Sequence, residues 1–348
     1  MDSGLRNYLV VTGGYWAFTV TDGAIRMLVV LYFHQLGYSP FEVAMLFLFY
    51  EFFGIVTNLV GGWLGARIGL NLIMHIGMEL QVVALSMLTV PDAWLSVPYV
   101  MAAQALSGIA KDLNKMSAKA SVKMLAGDGG ESKLFRWVAV LTGSKNALKG
   151  AGFFVGAALL EWIGFRGALA VLAGLLLAVL IITALLLPSG VGKMKSKPKF
   201  TQVFSNRPAI NWLAAARFFL FGSRDVWFVV GIPIYFYAVL SDGTVSGNRT
   251  AFFIIGTFMA VWVILYGFIQ ASAPRILRAS SRSESDLVYA AKGWAWTLTA
   301  IPAALTVAAL ASDGPQTWLT ITLIAGLLLF GAIFAINSAL HSYLILAF

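Results

Sequence analysis

The chain has 348 residues, of which 59% are apolar and only 11% are Asp, Glu, Lys or Arg, with a mean hydropathy of +0.84 and a formal charge of +9. An ordinary soluble domain carries about 25% charged residues, so this composition excludes a soluble globular protein, and its apolarity excludes intrinsic disorder. Cysteine is absent and the three histidines, His34, His75 and His341, stand far apart, which leaves neither a disulfide framework nor a metal-ligand spacing.

Apolar stretches of spanning length follow one another at residues 8–33, 40–65, 70–90, 95–118, 134–160, 167–187, 210–240, 251–270, 289–311 and 317–347. A helix needs roughly 20 apolar residues to cross the hydrocarbon core, and runs without alternation are not barrel strands. The predicted fold class is all-α, a polytopic membrane protein of about ten transmembrane helices. The first stretch is too long, and too polar in its middle, for a signal peptide.

A cytoplasmic N-terminus sorts the basic residues cleanly. Inside fall Arg6, Arg67, Lys119, Lys123, Lys133, Arg136, Lys193, Lys195, Lys197, Lys199, Arg207, Arg275, Arg278, Arg282 and Lys292, whereas only Arg166 and Arg249 fall outside. This asymmetry follows the positive-inside rule and accounts for most of the net charge without a nucleic-acid partner.

The basic segment SGVGKMKSKPKFTQVFSNRP, 189–208, separates two halves. The expected domains are a six-helix lobe at 1–188, a cytoplasmic linker at 189–209 and a four-helix lobe at 210–348. TDGAIRMLVVLYF (21–33) and RDVWFVVGIPIYF (224–236) both place Asp ten residues before Tyr-Phe, at an offset of 203. Each begins its half, and parallel six-helix repeats build one large class of transporters.

Charges inside spans carry the functional signal, because each costs about 2.5–3.5 kcal/mol at mid-bilayer on an insertion scale. The spans hold seven cations, Arg26, Lys111, Lys115, Lys145, Lys149, Arg217 and Arg224, and five anions, Asp22, Glu51, Glu79, Asp112 and Asp225. Full pairing leaves two cations over, which points to an anionic ligand. Lys111 and Lys115, and again Lys145 and Lys149, are i,i+4 pairs of like charge that repel unless something compensates them. A phosphate or carboxylate between them is one compensator; Glu51, Glu79 or Asp112 is the other. Arg26, Lys111, Lys115, Lys145, Lys149 and Arg224 lie near the middle of their helices and form the expected substrate-binding set. Asp22, Glu51, Asp112 and Asp225 form the expected charge-pairing or coupling set, with Asp22 and Arg26 spaced i,i+4 as an internal ion pair. Arg217, nearer the cytoplasmic end, either lines the path or snorkels. Gly143, Gly150, Gly152 and Gly156 suit close helix packing.

The loop Gly62-Trp63-Leu64-Gly65-Ala66-Arg67-Ile68-Gly69-Leu70-Asn71 resembles the signature between the second and third spans of the major facilitator superfamily, with both glycines and Arg67 in place and Ala66 where an Asp is usual. Longer blocks resemble one subfamily, the organoarsenical efflux permeases (ArsJ): YWAFTVTDGAIRMLVVLYFHQLGYSP (15–40), LFLFYEFFGIVTNLVGGWLGARIGLN (46–71), QALSGIAKDLNKMSAKA (104–120), LTGSKNALKGAGFF (141–154) and FGSRDVWFVV (221–230).

The resemblance implies alternating access by two lobes in the inner (plasma) membrane and export of 1-arseno-3-phosphoglycerate. That ester forms when arsenate replaces phosphate in the glyceraldehyde-3-phosphate dehydrogenase reaction, which makes the dehydrogenase a functional partner. No cofactor or metal is implied. A chain without thiols is poorly suited to soft trivalent arsenic and better suited to a pentavalent oxyanion. Family members resemble twelve-helix transporters, so the last two helices are expected to be missing and Phe348 to be a truncation point. The competing readings are a carrier of another small anion, such as an organophosphate, and an inactive truncated transporter. A membrane enzyme is disfavoured for want of a nucleophile, acid pair or metal cluster.

Overall fold

Punctuation in the sequence decides where the helices begin and end. The structure is a computed structural model that describes residues 3–126, 131–188, 193, 207–225, 235–236, 239–277, 284–311 and 317–347. Helix α1 (Ser3–Gln35) ends at Gly37, whose φ of 92° suits a residue without Cβ. Helix α2 (Pro40–Leu46) opens with a capping box: the Ser39 hydroxyl accepts from the Glu42 amide and the Glu42 carboxylate accepts from the Ser39 amide, with Pro40 in the first turn. A break at Phe47 separates α2 from α3 (Leu48–Ile68), so the stretch expected at 40–65 is two helical pieces. Gly69, at φ 103°, is the single residue between α3 and α4 (Leu70–Met87).

Helix α5 (Val97–Ala126) follows a short 3-10 turn at Asp92–Trp94. The two stretches expected at 134–160 and 167–187 run as one element, α6 (Glu131–Leu186), whose helical dihedrals break at Gly164 (φ 72°, ψ 175°). A straight helix of that length would reach roughly 84 Å, far beyond a bilayer, so the break at Gly164 is what lets the element serve as two spans. Beyond the linker come α7 (Pro208–Asp225), α8 (Val245–Ile276), α9 (Glu284–Leu310) and α10 (Thr317–Ala347). No strand occurs among the described residues. Of the linker expected at 189–209, Lys193, Arg207, Pro208 and Ala209 are described; the rest lies outside the described residues.

Among the described residues seven stretches are long and apolar enough to cross a membrane, against about ten expected. The difference has physical causes. Gly143–Leu186, at 44 residues, is one stretch with the length of two. Helix α5 holds Lys111, Asp112 and Lys115 in its middle, too many charges for an apolar window. The stretch at 210–240 is described only in part.

The chain divides into two compact units, Met1–Leu141 with Leu148–Phe204, and Thr142–Ala147 with Ser205–Phe348. The first unit's core packs Ile25, Leu28 and Phe33 of α1 with Leu85, Val100, Ala103, Leu169 and Leu172. Helices α1 and α6 cross with backbones nearly touching: a Cβ at Gly23 would stand 2.5 Å from the Lys149 carbonyl oxygen, and one at Gly156 would stand 2.5 Å from that of Ala24. This is the small-residue packing expected of membrane helices. In the second unit Phe236, Ile255 and Leu327 form one cluster, and Leu277, Leu287, Ala291 and Leu340 belong to another. Outward apolar side chains remain uncovered, with Leu185 80% and Leu310 82% exposed, an outer surface suited to lipid rather than water.

Candidate functional site

Helix α5 sets Lys111, Asp112 and Lys115 within about one turn, and α3 brings Glu51 to meet them. The result is a chain of alternating charge. Arg26 donates to Glu51 at 2.7 Å, Lys111 reaches the other Glu51 oxygen at 3.3 Å and Asp112 at 3.7 Å, and Lys115 donates to Asp112 at 2.9 Å. Asp112 is 2% exposed, Arg26 and Lys111 16%, and Glu51 50%, so the network is sealed at its Asp112 end and open at Glu51. Gly54 makes the sealed end: a Cβ there would stand 2.7 Å from Asp112 Oδ2. The repulsion within the Lys111/Lys115 pair is therefore met by Asp112 and Glu51. Glu79, the third candidate, is exposed on α4.

Tyr50 organises the centre and escaped the sequence reading. Its hydroxyl donates to Asp22 at 2.5 Å, while Arg26 and Lys111 each lie 4.0 Å from its ring centre. Tyr50 is fully buried. A ring this close to two cations offers its π electrons to both. Its position corrects the expected Asp22–Arg26 ion pair. Arg26 turns to Glu51 of α3, and Asp22 accepts from Tyr50 instead. Spacing of i,i+4 shows only that two residues share a face; it says nothing about a better partner on the next helix. The one available signal was adjacency, since Tyr50 immediately precedes Glu51 in an otherwise apolar run.

Lys149 stands beside this network, with Arg26, Asp22, Lys111 and Glu51 as its electrostatic neighbours. It makes no ion pair within 4.0 Å among the described residues. The first unit thus gathers four cations, Arg26, Lys111, Lys115 and Lys149, around three carboxylates, Asp22, Glu51 and Asp112. Lys145 lies on the Thr142–Ala147 stretch of α6 that groups with the second unit. Arg224 also belongs to the second unit, 5.1 Å from the Phe221 ring centre and 5.4 Å from that of Phe334. The Asp225 side chain lies outside the described residues. Arg217 does not simply snorkel: it donates to Ser342 at 3.2 Å.

The loop that resembled a family signature forms the tight α3–α4 junction. Arg67 lies 4.8 Å from the Trp63 ring centre, and the Asn71 amide donates to the Pro188 carbonyl at 2.8 Å, tying the junction to the end of α6.

Comparison with known proteins bears on family and fold. The sequence pattern of the Major Facilitator Superfamily matches residues 11–347. Among solved structures, the chain is similar to a mutant of the nucleoside transporter NupG, with 13% identity, a TM-score of 0.66, and coverage of 99% of this chain and 87% of that one. It is similar to the xylose transporter XylE from E. coli in a partially occluded inward-open conformation, with 16% identity, a TM-score of 0.57 and coverage of 99% and 87%. It is also similar to a POT family transporter in complex with 5-aminolevulinic acid, with 12% identity, a TM-score of 0.62 and coverage of 97% and 82%. At these identities the likeness is one of fold. No curated protein sequence matches the chain.

Proposed function

The chain belongs to the Major Facilitator Superfamily and is an integral membrane transporter of the secondary type rather than an enzyme, and from that premise we propose that it exports a small multivalent oxyanion ester, 1-arseno-3-phosphoglycerate, and so confers arsenate resistance. The observation that carries the proposal is the first unit's excess of cations, with Lys149 beside Arg26 and Lys111 and, among the described residues, outside their ion pairs. Tetrahedral oxyanions suit such a set, since Arg binds them bidentately and Lys as a point charge. The five long blocks that resemble the organoarsenical efflux permeases support the choice of cargo, as does the absence of thiols.

Glu51 is the gate of this mechanism. Half exposed, it holds Arg26 and Lys111 when the site is empty. An anion displaces it from both cations on binding, and the carboxylate takes them back on release. Asp22 and Asp112 keep the remaining positive charge in bounds, Asp112 from a buried position. Lys145, Arg224 and Asp225, which belong to the second unit, are proposed to meet the anion in the course of the alternating-access cycle. The proposal has the N-terminus in the cytoplasm, as the basic residues of the loops favour, the protein in the inner (plasma) membrane, and glyceraldehyde-3-phosphate dehydrogenase as the source of cargo.

The test is arsenate resistance in a sensitive host, with and without the dehydrogenase. The parent chain should protect only when the enzyme is present, and Lys111→Ala and Lys149→Ala should abolish that protection at equal membrane levels. Protection that does not need the dehydrogenase would favour a carrier of another anion. Unimpaired protection by both variants would remove the site assignment.

A further inference from the structure

Helix α10 presents Asn337, Ser338, His341 and Ser342 at i, i+1, i+4 and i+5, a polar stripe in the C-terminal half of the helix. Asn337 and Ser338 are 0% and 1% exposed. The stripe meets polar groups of α7 and α8. Gln270 donates to Ser338 at 3.2 Å, Arg217 donates to Ser342 at 3.2 Å, and the Tyr266 hydroxyl shares hydrogen bonds with Ser338 and Arg224. Both arginines lie 5.1 Å from the Phe221 ring centre, which spaces them along one face of α7. No carboxylate is ion-paired to Arg217 among the described residues.

One member of the stripe has no structural explanation. Neither amide atom of Asn337 finds a hydrogen-bond partner among the described residues, and neither does Nδ1 of His341. A buried polar group left unmatched costs stability, and Leu would fill the same volume without that cost. The Asn337 side chain thus has a donor and an acceptor to offer to a ligand.

We propose that the second unit contains its own oxyanion subsite, built by Arg217, Arg224, Tyr266, Gln270, Asn337 and Ser338, which takes a phosphate group. The arginines supply charge, and the Asn337 amide supplies a donor to a phosphate oxygen or an acceptor for a neighbouring hydroxyl. The inference rests on the transporter reading for its setting and not on the arsenical cargo. The phosphate can belong to a soluble ester or to a lipid headgroup, and the two are separable.

The experiment measures the unfolding temperature of the purified full chain. One arm titrates 3-phosphoglycerate in detergent; the other compares nanodiscs with and without phosphatidylglycerol. The parent should be stabilised in one arm, which identifies the source of the phosphate. Asn337→Leu should weaken the apparent affinity in that arm at least tenfold, while its own ligand-free unfolding temperature is equal to or above that of the parent. Arg217→Gln should weaken it similarly. Asn337→Leu with unchanged affinity, or a parent stabilised in neither arm, would overturn the subsite. So would loss of binding in Lys149→Ala with Asn337→Leu and Arg217→Gln unaffected, because the phosphate would then sit in the first unit. Retained binding alongside failed arsenate resistance would count against the arsenical cargo and leave the subsite standing.

Discussion

At the scale of the residue, the network is asymmetric in burial, and its energetics should follow. Asp112 is sealed against two lysines, whereas Glu51 is half exposed. Removing one partner of a buried pair costs about 3–5 kcal/mol because the other charge is stranded, while exposed pairs are worth about 1 kcal/mol or less. Asp112→Asn should therefore lower the unfolding temperature clearly more than Glu51→Gln, and equal losses would contradict this burial ranking. Tyr50→Phe keeps the ring and removes only the donor to Asp22, so it should impair transport more than stability. The cations were legible in the sequence because a charge in a span is conspicuous and costly. Tyr50 was not, because a tyrosine in an apolar run reads as packing until its hydroxyl is given a carboxylate. The Asp22–Arg26 pair was misjudged because helix spacing carries no information about the neighbouring helix.

At the scale of the element, two features make separate predictions. The α1–α6 crossing depends on Gly23, Gly152 and Gly156, while a Cβ at Gly13 would meet nothing within 4 Å. Gly156→Ala should cost about 1–3 kcal/mol by overpacking, and Gly13→Ala should be neutral or stabilising by up to about 1 kcal/mol through helix propensity. Thermal unfolding of the two variants in parallel decides between them. At the Asp92 turn, hydrogen bonds from the Tyr32 hydroxyl and Arg166 hold the Asp92 carboxyl below its usual range. A carboxylate whose pKa is lowered by folding contributes stability above its unfolded pKa of about 3.9, and that contribution is lost as pH falls through the folded value. The deficit of Asp92→Asn relative to the parent should thus be present at pH 6 and shrink in acid below pH 4 or so. The helices themselves were legible from apolar length. Their junctions were less so: an apolar run does not show that Phe47 breaks one span or that α6 stays helical on both sides of Gly164.

At the scale of the whole molecule, sequence and fold agree on class, and the fold is silent on cargo. Apolar composition, the 11–347 family match and the likeness to solved transporters all converge on a facilitator. Residues that choose a substrate are few, and fold-level likeness says nothing about them. The account therefore turns on charge. Four cations gather around three carboxylates in the first unit, the proposal matches that excess with an anion, and among the described residues Lys149 stands outside this network's ion pairs. The most direct measurement uses everted membrane vesicles supplied with arsenate, NAD, glyceraldehyde-3-phosphate and the dehydrogenase, with arsenic counted in the lumen. Luminal arsenic should accumulate with the parent chain only when every component is present, and Lys149→Ala at equal abundance should reduce it at least tenfold. Accumulation by Lys149→Ala equal to that of the parent would contradict the account.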